Sequence, residues 1–307
     1  MEILKFNPIF KPTLWGSETW AVSAVKGSES IVLNGECKGM TLPEVVEEFG
    51  AEFLGKKNAE KFGKDFPLLI KFIDARQDLS IQVHPDDALS ARRHGKMGKN
   101  EMWYVVDADR GSQLIAGFRQ RTEVADYAQK VADGSIEDDL NKVNVSEGDC
   151  FYIPAGRVHG IGAGMVIAEI QQTSDVTYRI YDYLRRDRQG NLRELHTELA
   201  LEAINFQDIT TDPKVRYEER RDVVISLVES PFFTTNEMKL SQPMTRTYGE
   251  EDSFHVYMCL SGHCCFLTPD GQGLFLHHGE SLVVPASIKQ VTIIPDESAK
   301  LLESFVE

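Results

Sequence analysis

The chain has 307 residues, a length that suggests about two domains, and 42% of them are hydrophobic, which is ample for packed cores. Its 48 acidic residues outnumber the 33 basic ones, and the formal charge of −15 argues against nucleic acid and acidic membrane surfaces as partners. The five cysteines include no Cys-x-x-Cys pair, which argues against a disulfide framework or a thiolate metal site. No apolar run is long enough for a signal peptide or a membrane span, so we expect a cytoplasmic protein with no membrane partner.

The first predicted helix begins near residue 41. Thr41-Leu-Pro-Glu44 has the pattern of a capping box with a proline in the first turn. Leu42, Val45, Val46 and Phe49 then form one apolar stripe, which we interpret as a packing face.

From residue 66 onward the pattern is typical of short strands separated by turn residues, as in a jelly-roll barrel. The predicted strands are Phe66–Ala75, Leu79–His84, Met102–Val106, Gln113–Phe118, Val143–Val145, Cys150–Ile153, Met165–Gln172 and Thr177–Tyr183. A helical period within Arg121–Leu140 interrupts this series, and we expect that insertion to cover one end of the barrel.

After Tyr183 a charged, turn-rich linker, Leu184–Asn191, precedes a predicted helix at His196–Phe206 and a second series of strands. We therefore predict a mainly β protein with two jelly-roll barrels and a few accessory helices. The predicted domains are an N-terminal catalytic barrel, residues 1–190, with helical insertions at about 41–62 and 121–140, and residues 191–307, a linker helix followed by a second barrel.

A motif near the middle of the chain, Gly148-Asp-Cys-Phe-Tyr-Ile-Pro154-Ala-Gly156-Arg-Val-His159, predicts a rigid corner, and we call it the first motif. Proline ends a strand because it lacks an N–H group, and Gly156 allows the backbone to reverse. His159 then enters the next strand with its ring directed inward, as a metal ligand would.

Two upstream strands add further candidate ligands. Gln82 and His84 stand two residues apart on a strand pattern and so project from the same face, and Glu101 opens another β-prone run. Each of these residues singly fits an ordinary packing or surface role. Together with His159, however, they form a donor set that suits a divalent metal of the zinc type.

The second half of the chain repeats the first motif. Gly279-Glu-Ser-Leu-Val-Val-Pro285-Ala-Ser-Ile-Lys-Gln290, the second motif, keeps the glycine and proline spacing but has Gln290 at the place of His159. Phe254-His-Val-Tyr257 likewise resembles the segment that begins at Glu101, which places Phe254 at the position of the carboxylate. We therefore expect the second barrel to lack metal ligands.

Four motifs together resemble the type I mannose-6-phosphate isomerases, and more narrowly their short bacterial form. They are Gln82-Val-His84-Pro85-Asp86-Asp87, Lys99-Asn-Glu101-Met-Trp103-Tyr104, Pro154-Ala-Gly156-Arg-Val-His159 and Thr177-Tyr178-Arg179-Ile-Tyr181-Asp182-Tyr183. The similarity extends from Trp15-Gly16 to Arg193-Glu-Leu-His196. It implies two cupin-type barrels and a metal-dependent aldose–ketose isomerase that interconverts mannose 6-phosphate and fructose 6-phosphate through an enediolate.

The resemblance also implies roles for the candidate residues. One zinc ion per chain is expected, with His84, Glu101 and His159 as ligands and Gln82 as a fourth whose ligation the sequence leaves open. Lys99 and Arg179 are expected to be the catalytic cations. The proton-transfer base stays unassigned.

The substrate implied by the resemblance is a small-molecule sugar phosphate. Ser80, Lys99 and Arg179 are the candidates for binding it, although Arg179 also fits a structural ion pair with Asp182 or Asp175. The basic run Ala91–Lys99, with four Lys or Arg in nine positions, offers a positive patch or simply a solvated loop.

Two other functions fit parts of this pattern. A non-catalytic sugar-phosphate-binding cupin needs affinity but no group that stabilises an enediolate, and an iron-dependent cupin oxygenase needs two histidines and one carboxylate with open positions. The presence of both Lys99 and Arg179 favours the isomerase. We expect a monomer or a weak homo-oligomer.

Overall fold

The computed structural model of the chain describes residues 1–186, 189–249 and 252–306, and the chain forms two compact units. The first unit comprises Met1–Phe10, Thr19–Phe72 and Arg216–Glu307, and the second unit comprises Lys11–Glu18 and Ile73–Val215. Both units are thus discontinuous in sequence. The compact units divide the chain at other residues than the predicted domains, 1–190 and 191–307. Those domains stay a prediction.

The secondary structure is mainly β, as predicted. The strands, in chain order, are β1 (Leu4–Asn7), β2 (Ile9–Pro12), β3 (Gly16–Val22), β4 (Ala24–Val25), β5 (Ser28–Glu29), β6 (Ile31–Val32), β7 (Leu68–Ala75), β8 (Ile81–Val83), β9 (Glu101–Ala108), β10 (Gln113–Phe118), β11 (Leu140–Asn144), β12 (Cys150–Ile153), β13 (His159–Ile161), β14 (Met165–Gln172), β15 (Tyr178–Tyr181), β16 (Val224–Glu229), β17 (Thr234–Leu240), β18 (Met244–Thr247), β19 (His255–Leu267), β20 (Gly273–His277), β21 (Ser281–Val284) and β22 (Gln290–Phe305).

The helices are short accessory elements. They are α1 (Leu42–Phe49), α2 (Ala51–Leu54), α3 (Lys56–Phe62), α4 (Asp87–His94), α5 (Val124–Asp133) and α6 (Thr197–Ala203), with a 3-10 helix at Ser135–Asp139. The predicted capping box at α1 is confirmed, because Thr41 Oγ1 accepts the Glu44 N–H and the Glu44 carboxylate accepts the Thr41 N–H. Among the described residues, no helix combines the length and apolarity that crossing a bilayer requires.

In the first unit, one large antiparallel sheet combines strands from both ends of the chain. Its order is β16-β17-β22-β19-β21-β1-β6, with β18 paired to β22 and β20 paired to β19. The N-terminal strand β1 pairs with β21, with Leu4 opposite Val283, and with β6 on its other side. The sequence analysis predicted the C-terminal strands of this sheet but not that two N-terminal strands complete it.

The second unit contains a five-stranded sheet with the order β11-β10-β13-β8-β15. Strands β12, β9 and β14 pair side by side in another sheet, with β9 in the middle. A hydrophobic core between these strands includes Trp103 and Val105 of β9, Leu114 of β10 and Ile161 of β13. On the opposite face of the five-stranded sheet, side chains of β8 pack against residues of α5 and α6 and form a second core.

This arrangement determines where the candidate ligands lie. Side chains alternate along a strand, so Glu101 points to the same face of β9 as Trp103, and His159 points to the same face of β13 as Ile161. The predicted ligands on both strands therefore face the space between the two sheets. The fold brings them together from distant parts of the sequence.

The predicted internal repeat is visible in the strand register. In β12 and β9, Ile153 lies opposite Glu101, and in β21 and β19, Val284 lies opposite His255. Because the first and second motifs align Ile153 with Val284, the counterpart of Glu101 is His255. The predicted counterpart, Phe254, is therefore wrong by one residue. A shift of one residue moves a side chain to the opposite face of the strand, and the hydrogen-bond register is what reveals it.

Candidate metal centre

His84 lies directly after β8 and is almost fully buried. The first motif holds it in place, because the backbone N–H of Gly156 donates to the His84 carbonyl at 2.9 Å. Gly156 has φ of +87°, the left-handed conformation predicted for this corner, in which a glycine avoids strain. The His84 ring nitrogen Nδ1 lies 3.0 Å from the carbonyl oxygen of Val176.

His159 is the first residue of β13 and is fully buried. Its Nδ1 lies 2.7 Å from the carbonyl oxygen of Arg157. A carbonyl oxygen can only accept, so Nδ1 carries the proton in both rings and Nε2 carries a lone pair. The two Nε2 atoms lie 3.1 Å apart, so two lone pairs converge on one buried point.

Glu101 completes the group from the start of β9, where its side chain has no exposed surface. Its Oε2 lies 3.5 Å from His84 Nε2, and its Oε1 lies 3.4 Å from His159 Nε2. Among the described residues, Oε1 has no hydrogen-bond partner. A buried carboxylate oxygen and two imidazole lone pairs, all within 4.8 Å of one another, are a donor set that needs a cation.

Lys99 is the cation that this part of the chain supplies. It is buried, and its Nζ donates to Glu101 Oε2 at 2.5 Å and lies 2.9 Å from His84 Nε2. A single ammonium group neutralises the Glu101 charge but leaves Oε1 and His159 Nε2 without a donor. The residues present therefore fit a divalent ion of the zinc type, which accepts two imidazoles and a carboxylate.

The protonation states agree with ligand roles. Burial and the Lys99 charge lower the pKa of His84 to about 3, and burial lowers that of His159 to about 4. Burial alone would raise the pKa of Glu101, but the charge of Lys99 and the contact with His84 outweigh it and hold that pKa well below its usual value. Neutral imidazoles and an ionised carboxylate are the forms that bind metals.

Gln82 and Arg179 share a cross-strand row with His159. In the five-stranded sheet, His159 of β13 lies opposite Gln82 of β8, and Gln82 lies opposite Arg179 of β15. Directly opposed residues in antiparallel strands project from the same face. The half-buried Gln82 side chain is thus on the face of His159, while its ligation of a metal stays a prediction, as does the role of the buried Ser80 just before β8.

Arg179 is half-buried, and its Nη1 donates to the Glu194 carbonyl oxygen at 2.7 Å. Its Nε has no hydrogen-bond partner among the described residues. Burial and the neighbouring Arg193 lower its pKa. Of the two structural partners considered from the sequence, Asp182 forms ion pairs with Arg185 and Arg193, and Asp175 pairs with Lys96.

The basic run before Glu101 is largely neutralised by carboxylates. Arg92 and Arg93 both form ion pairs with Glu202, and Lys96 donates to Asp175 at 2.5 Å. Lys99 alone of these cations reaches the ligand group. Arg92 and Arg93 lie in the last turn of α4, and both pair with Glu202 of α6.

Sequence reasoning missed the surroundings of Arg179. His196 Nδ1 accepts the Arg179 backbone N–H at 2.9 Å, and the His196 N–H donates to the Arg179 carbonyl oxygen at 2.7 Å. Arg193 lies beside the same carboxylate as Arg185. The signal was present in the segment Arg193-Glu-Leu-His196, which the sequence analysis used only to mark where the resemblance ends.

Two family models match the chain. Residues 7–118 match "Phosphomannose isomerase type I, catalytic domain", and residues 224–302 match "Mannose-6-phosphate isomerase, cupin domain". These matches lie in the two regions for which the sequence predicted a catalytic barrel and a related second barrel.

Two bacterial relatives match along most of their length. The mannose-6-phosphate isomerase ManA of Bacillus subtilis is 37% identical over 258 residues, covering 78% of this chain and 80% of the relative. The mannose-6-phosphate isomerase of Streptococcus mutans is 34% identical over 279 residues, covering 91% of this chain and 85% of the relative. A crystal structure of the Bacillus subtilis mannose 6-phosphate isomerase superposes with a TM-score of 0.86 at 28% identity and 99% coverage of both chains.

Proposed function

The chain belongs to the mannose-6-phosphate isomerase family, and on this premise we propose that it is a metal-dependent isomerase that interconverts mannose 6-phosphate and fructose 6-phosphate through an enediolate. In this reaction a proton leaves C2 of the aldose and is returned at C1. The enzyme must therefore stabilise negative charge on two neighbouring oxygens while the proton is moved.

The buried group of His84, Glu101 and His159 is the observation that carries the proposal. These side chains come from three separate segments, each is buried, and their ligand atoms lie within 4.8 Å of one another. Packing alone gives no reason to place two imidazole lone pairs and a carboxylate oxygen around one point, because each is costly to bury without a partner. A bound cation removes that cost.

We assign His84, Glu101 and His159, with Gln82 as a fourth residue, as the ligands that would hold one zinc ion. Bound there, the ion would supply a Lewis acid for the oxygens of the sugar. The carbonyl oxygens of Val176 and Arg157 keep the two rings in the tautomer that leaves Nε2 free to bind.

Lys99 and Arg179 are the proposed catalytic cations. Lys99 Nζ lies 2.9 Å from His84 Nε2, and with that nitrogen bound to a divalent ion the ammonium would be available to donate to a substrate oxygen. Arg179 has a buried Nε without a partner among the described residues, and it occupies the row that begins at His159. These positions support the proposal that both cations stabilise the negative charge that develops in the enediolate.

The test is a coupled assay on mannose 6-phosphate with purified protein before chelation, after chelation, and after zinc or iron is added back. We expect activity to disappear with the metal and to return with zinc. Tight binding of the sugar phosphate with no turnover under any metal would instead support a non-catalytic binding protein. Cytoplasmic location and a monomer or weak homo-oligomer stand as parts of the same proposal.

A further inference from the structure

Two arginines contact one buried carboxylate just after β15, and a third lies nearby. We call this group the arginine cluster: Arg185 and Arg193 at Asp182, with Arg179 beside them. Asp182 is 4% exposed. Arg185 Nη2 forms an ion pair with it, and Arg193 Nη1 lies 3.3 Å from each of its carboxylate oxygens. Arg179 is close enough that the charges of both Asp182 and Arg193 act on it.

The cluster has more positive than negative charge. Arg185 and Arg193 share the Asp182 carboxylate, while the charges of Asp182 and the exposed Glu194 act on Arg179. His196 carries no charge where its Nδ1 accepts the Arg179 N–H. The basic residues of the run before Glu101 differ, since Arg92 and Arg93 share Glu202 and Lys96 has Asp175. An excess of guanidinium charge in a protein with a net charge of −15 is a local exception that suits an anion.

The two outer arginines are held in place and remain partly accessible. Arg193 lies over the Trp15 ring at 5.3 Å, and Arg185 lies over the Tyr183 ring at 5.5 Å. Their side chains are 17% and 19% exposed. Guanidinium groups fixed on aromatic faces bind an anion with little further loss of side-chain entropy.

The backbone beside the cluster supports a functional interpretation. Tyr183 and Leu184 have φ of +54° and +55°, two consecutive left-handed residues that are not glycine. This conformation is disfavoured for side chains with a Cβ and is typical of sites where geometry matters more than stability. The turn places Arg185 where it reaches Asp182 and, through Nη1, the Asp78 carbonyl oxygen at 2.5 Å.

The cluster also lies at a suitable separation from the candidate metal centre. Arg179 is two strands away from His159 in the shared row, which corresponds to about 10 Å between backbones. A hexose phosphate has its carbonyl end and its phosphate at opposite ends of a chain of comparable length. One end can therefore lie at the metal centre while the other reaches the arginines.

We propose that Arg185 and Arg193 form the binding site for the phosphate group of the substrate, that Asp182 is the positioning residue that holds them, and that Arg179 lies between this site and the metal centre. The identity of the phosphate as part of a sugar phosphate rests on the proposed function. Arginine forks match phosphate oxygens in pairs, so two of them suffice to fix a dianion.

The first test measures binding of inorganic phosphate to the full chain by calorimetry. Arg193→Gln and Arg185→Gln should each weaken binding by about tenfold, and Arg193→Lys should weaken it less because the charge is kept. Arg92→Gln is the matched control and should leave the affinity unchanged. Unchanged affinity in the double variant Arg185→Gln/Arg193→Gln, or an equal loss in Arg92→Gln, overturns the proposal.

A second measurement needs no variant and so is independent of folding defects. Phosphate should protect Arg185 and Arg193 of the wild-type chain from a dicarbonyl reagent, as read by peptide mass spectrometry, and should leave the reactivity of Arg92 unchanged. Equal reactivity of the two arginines with and without phosphate contradicts the assignment.

Kinetics separate this inference from the proposed function. With mannose 6-phosphate, Arg193→Gln should raise KM by about tenfold while kcat stays nearly constant, because the lost contact is made equally in the ground state and the transition state. A fall in kcat with unchanged KM contradicts the inference. A wild-type protein that binds phosphate through these arginines but does not isomerise mannose 6-phosphate would refute the proposed function alone.

Discussion

Two buried glutamates, Glu101 in the second unit and Glu303 in the first, show how one scaffold supports two different outcomes. Both are fully buried, and each has a histidine nitrogen within 3.5 Å of a carboxylate oxygen. Glu303 Oε1 accepts from Tyr257 at 2.6 Å, and its Oε2 accepts from Arg246 at 2.8 Å and from Asn236 at 3.0 Å. Glu101, in contrast, keeps one oxygen without a donor among the described residues.

The repeat makes this comparison close. Trp103 of β9 lies opposite Glu169 of β14 and donates to it at 2.9 Å, while Tyr257 of β19 lies opposite Glu303 of β22 and donates to it at 2.6 Å. The two pairs therefore occupy equivalent positions.

The difference lies in the ligand positions beside these pairs. His255 stands at the position of Glu101, and the exposed Gln290 at the position of His159. Arg246 supplies the positive charge of this group in the first unit. The two units thus share the strand register around these positions. They differ in the few side chains that would have to supply metal ligands.

The largest expected effect comes from Glu101→Gln. Loss of a charged ligand should remove the bound metal and with it nearly all isomerase activity, since losing even an indirect support of a ligand costs about 10 to 100-fold. Mass spectrometry measures the metal content, and the coupled assay measures the isomerase activity. Glu303→Gln is the matched control and should keep its metal, and retained metal with full turnover in Glu101→Gln would refute the ligand assignment.

Arg179→Ala should have the next largest effect. It removes a donor to the enediolate, so the barrier should rise by about 3 to 4 kcal/mol, as for an oxyanion donor, with the metal content unchanged. The coupled assay and a thermal unfolding curve measure it. If the variant instead fails to fold, Arg179 has the structural role that the sequence analysis also considered.

Glu303 should contribute a stability that depends on pH. Burial raises its pKa, but His255, Arg246 and Tyr257 outweigh burial and lower it to about 2 from the usual 4.5. A lowered carboxyl pKa stabilises the folded state above pH about 4.5, by about 3 kcal/mol, and this contribution is lost as the pH falls toward 2. Denaturant unfolding of wild type and Glu303→Gln should therefore differ most at pH 6, differ less at pH 3, and converge near pH 2. A constant difference would show that the charge of Glu303 is not the cause.

Much of the second unit could be predicted from the sequence. Strands Gln113–Phe118, Cys150–Ile153 and Met165–Gln172 have the predicted bounds, because each is a β-prone run whose ends are marked by flanking turn residues. His84, Glu101 and His159 come together as predicted, because proline and glycine fix the corner that presents His159.

What the sequence could not give depends on tertiary pairing. The partners of Arg92 and Arg93 are set by α6, which is more than 100 residues away, and no local pattern indicates Glu202. The counterpart of Glu101 was misplaced by one residue for a similar reason. Side-chain periodicity identifies a strand, whereas the neighbour of each residue follows from the register of the sheet.

The pairing of β1 with β21 has a consequence for how the chain acquires its structure during synthesis. Leu4 leaves the ribosome early, but its partner Val283 is made almost 280 residues later, after the whole of the second unit. We expect the second unit to fold first, while the edge of β1 that later pairs with β21 stays unpaired. The candidate metal centre, whose ligands lie within residues 73–215, can thus form before the last strands exist. Truncation of the C-terminal strands should therefore affect the N-terminus before it affects the candidate ligands.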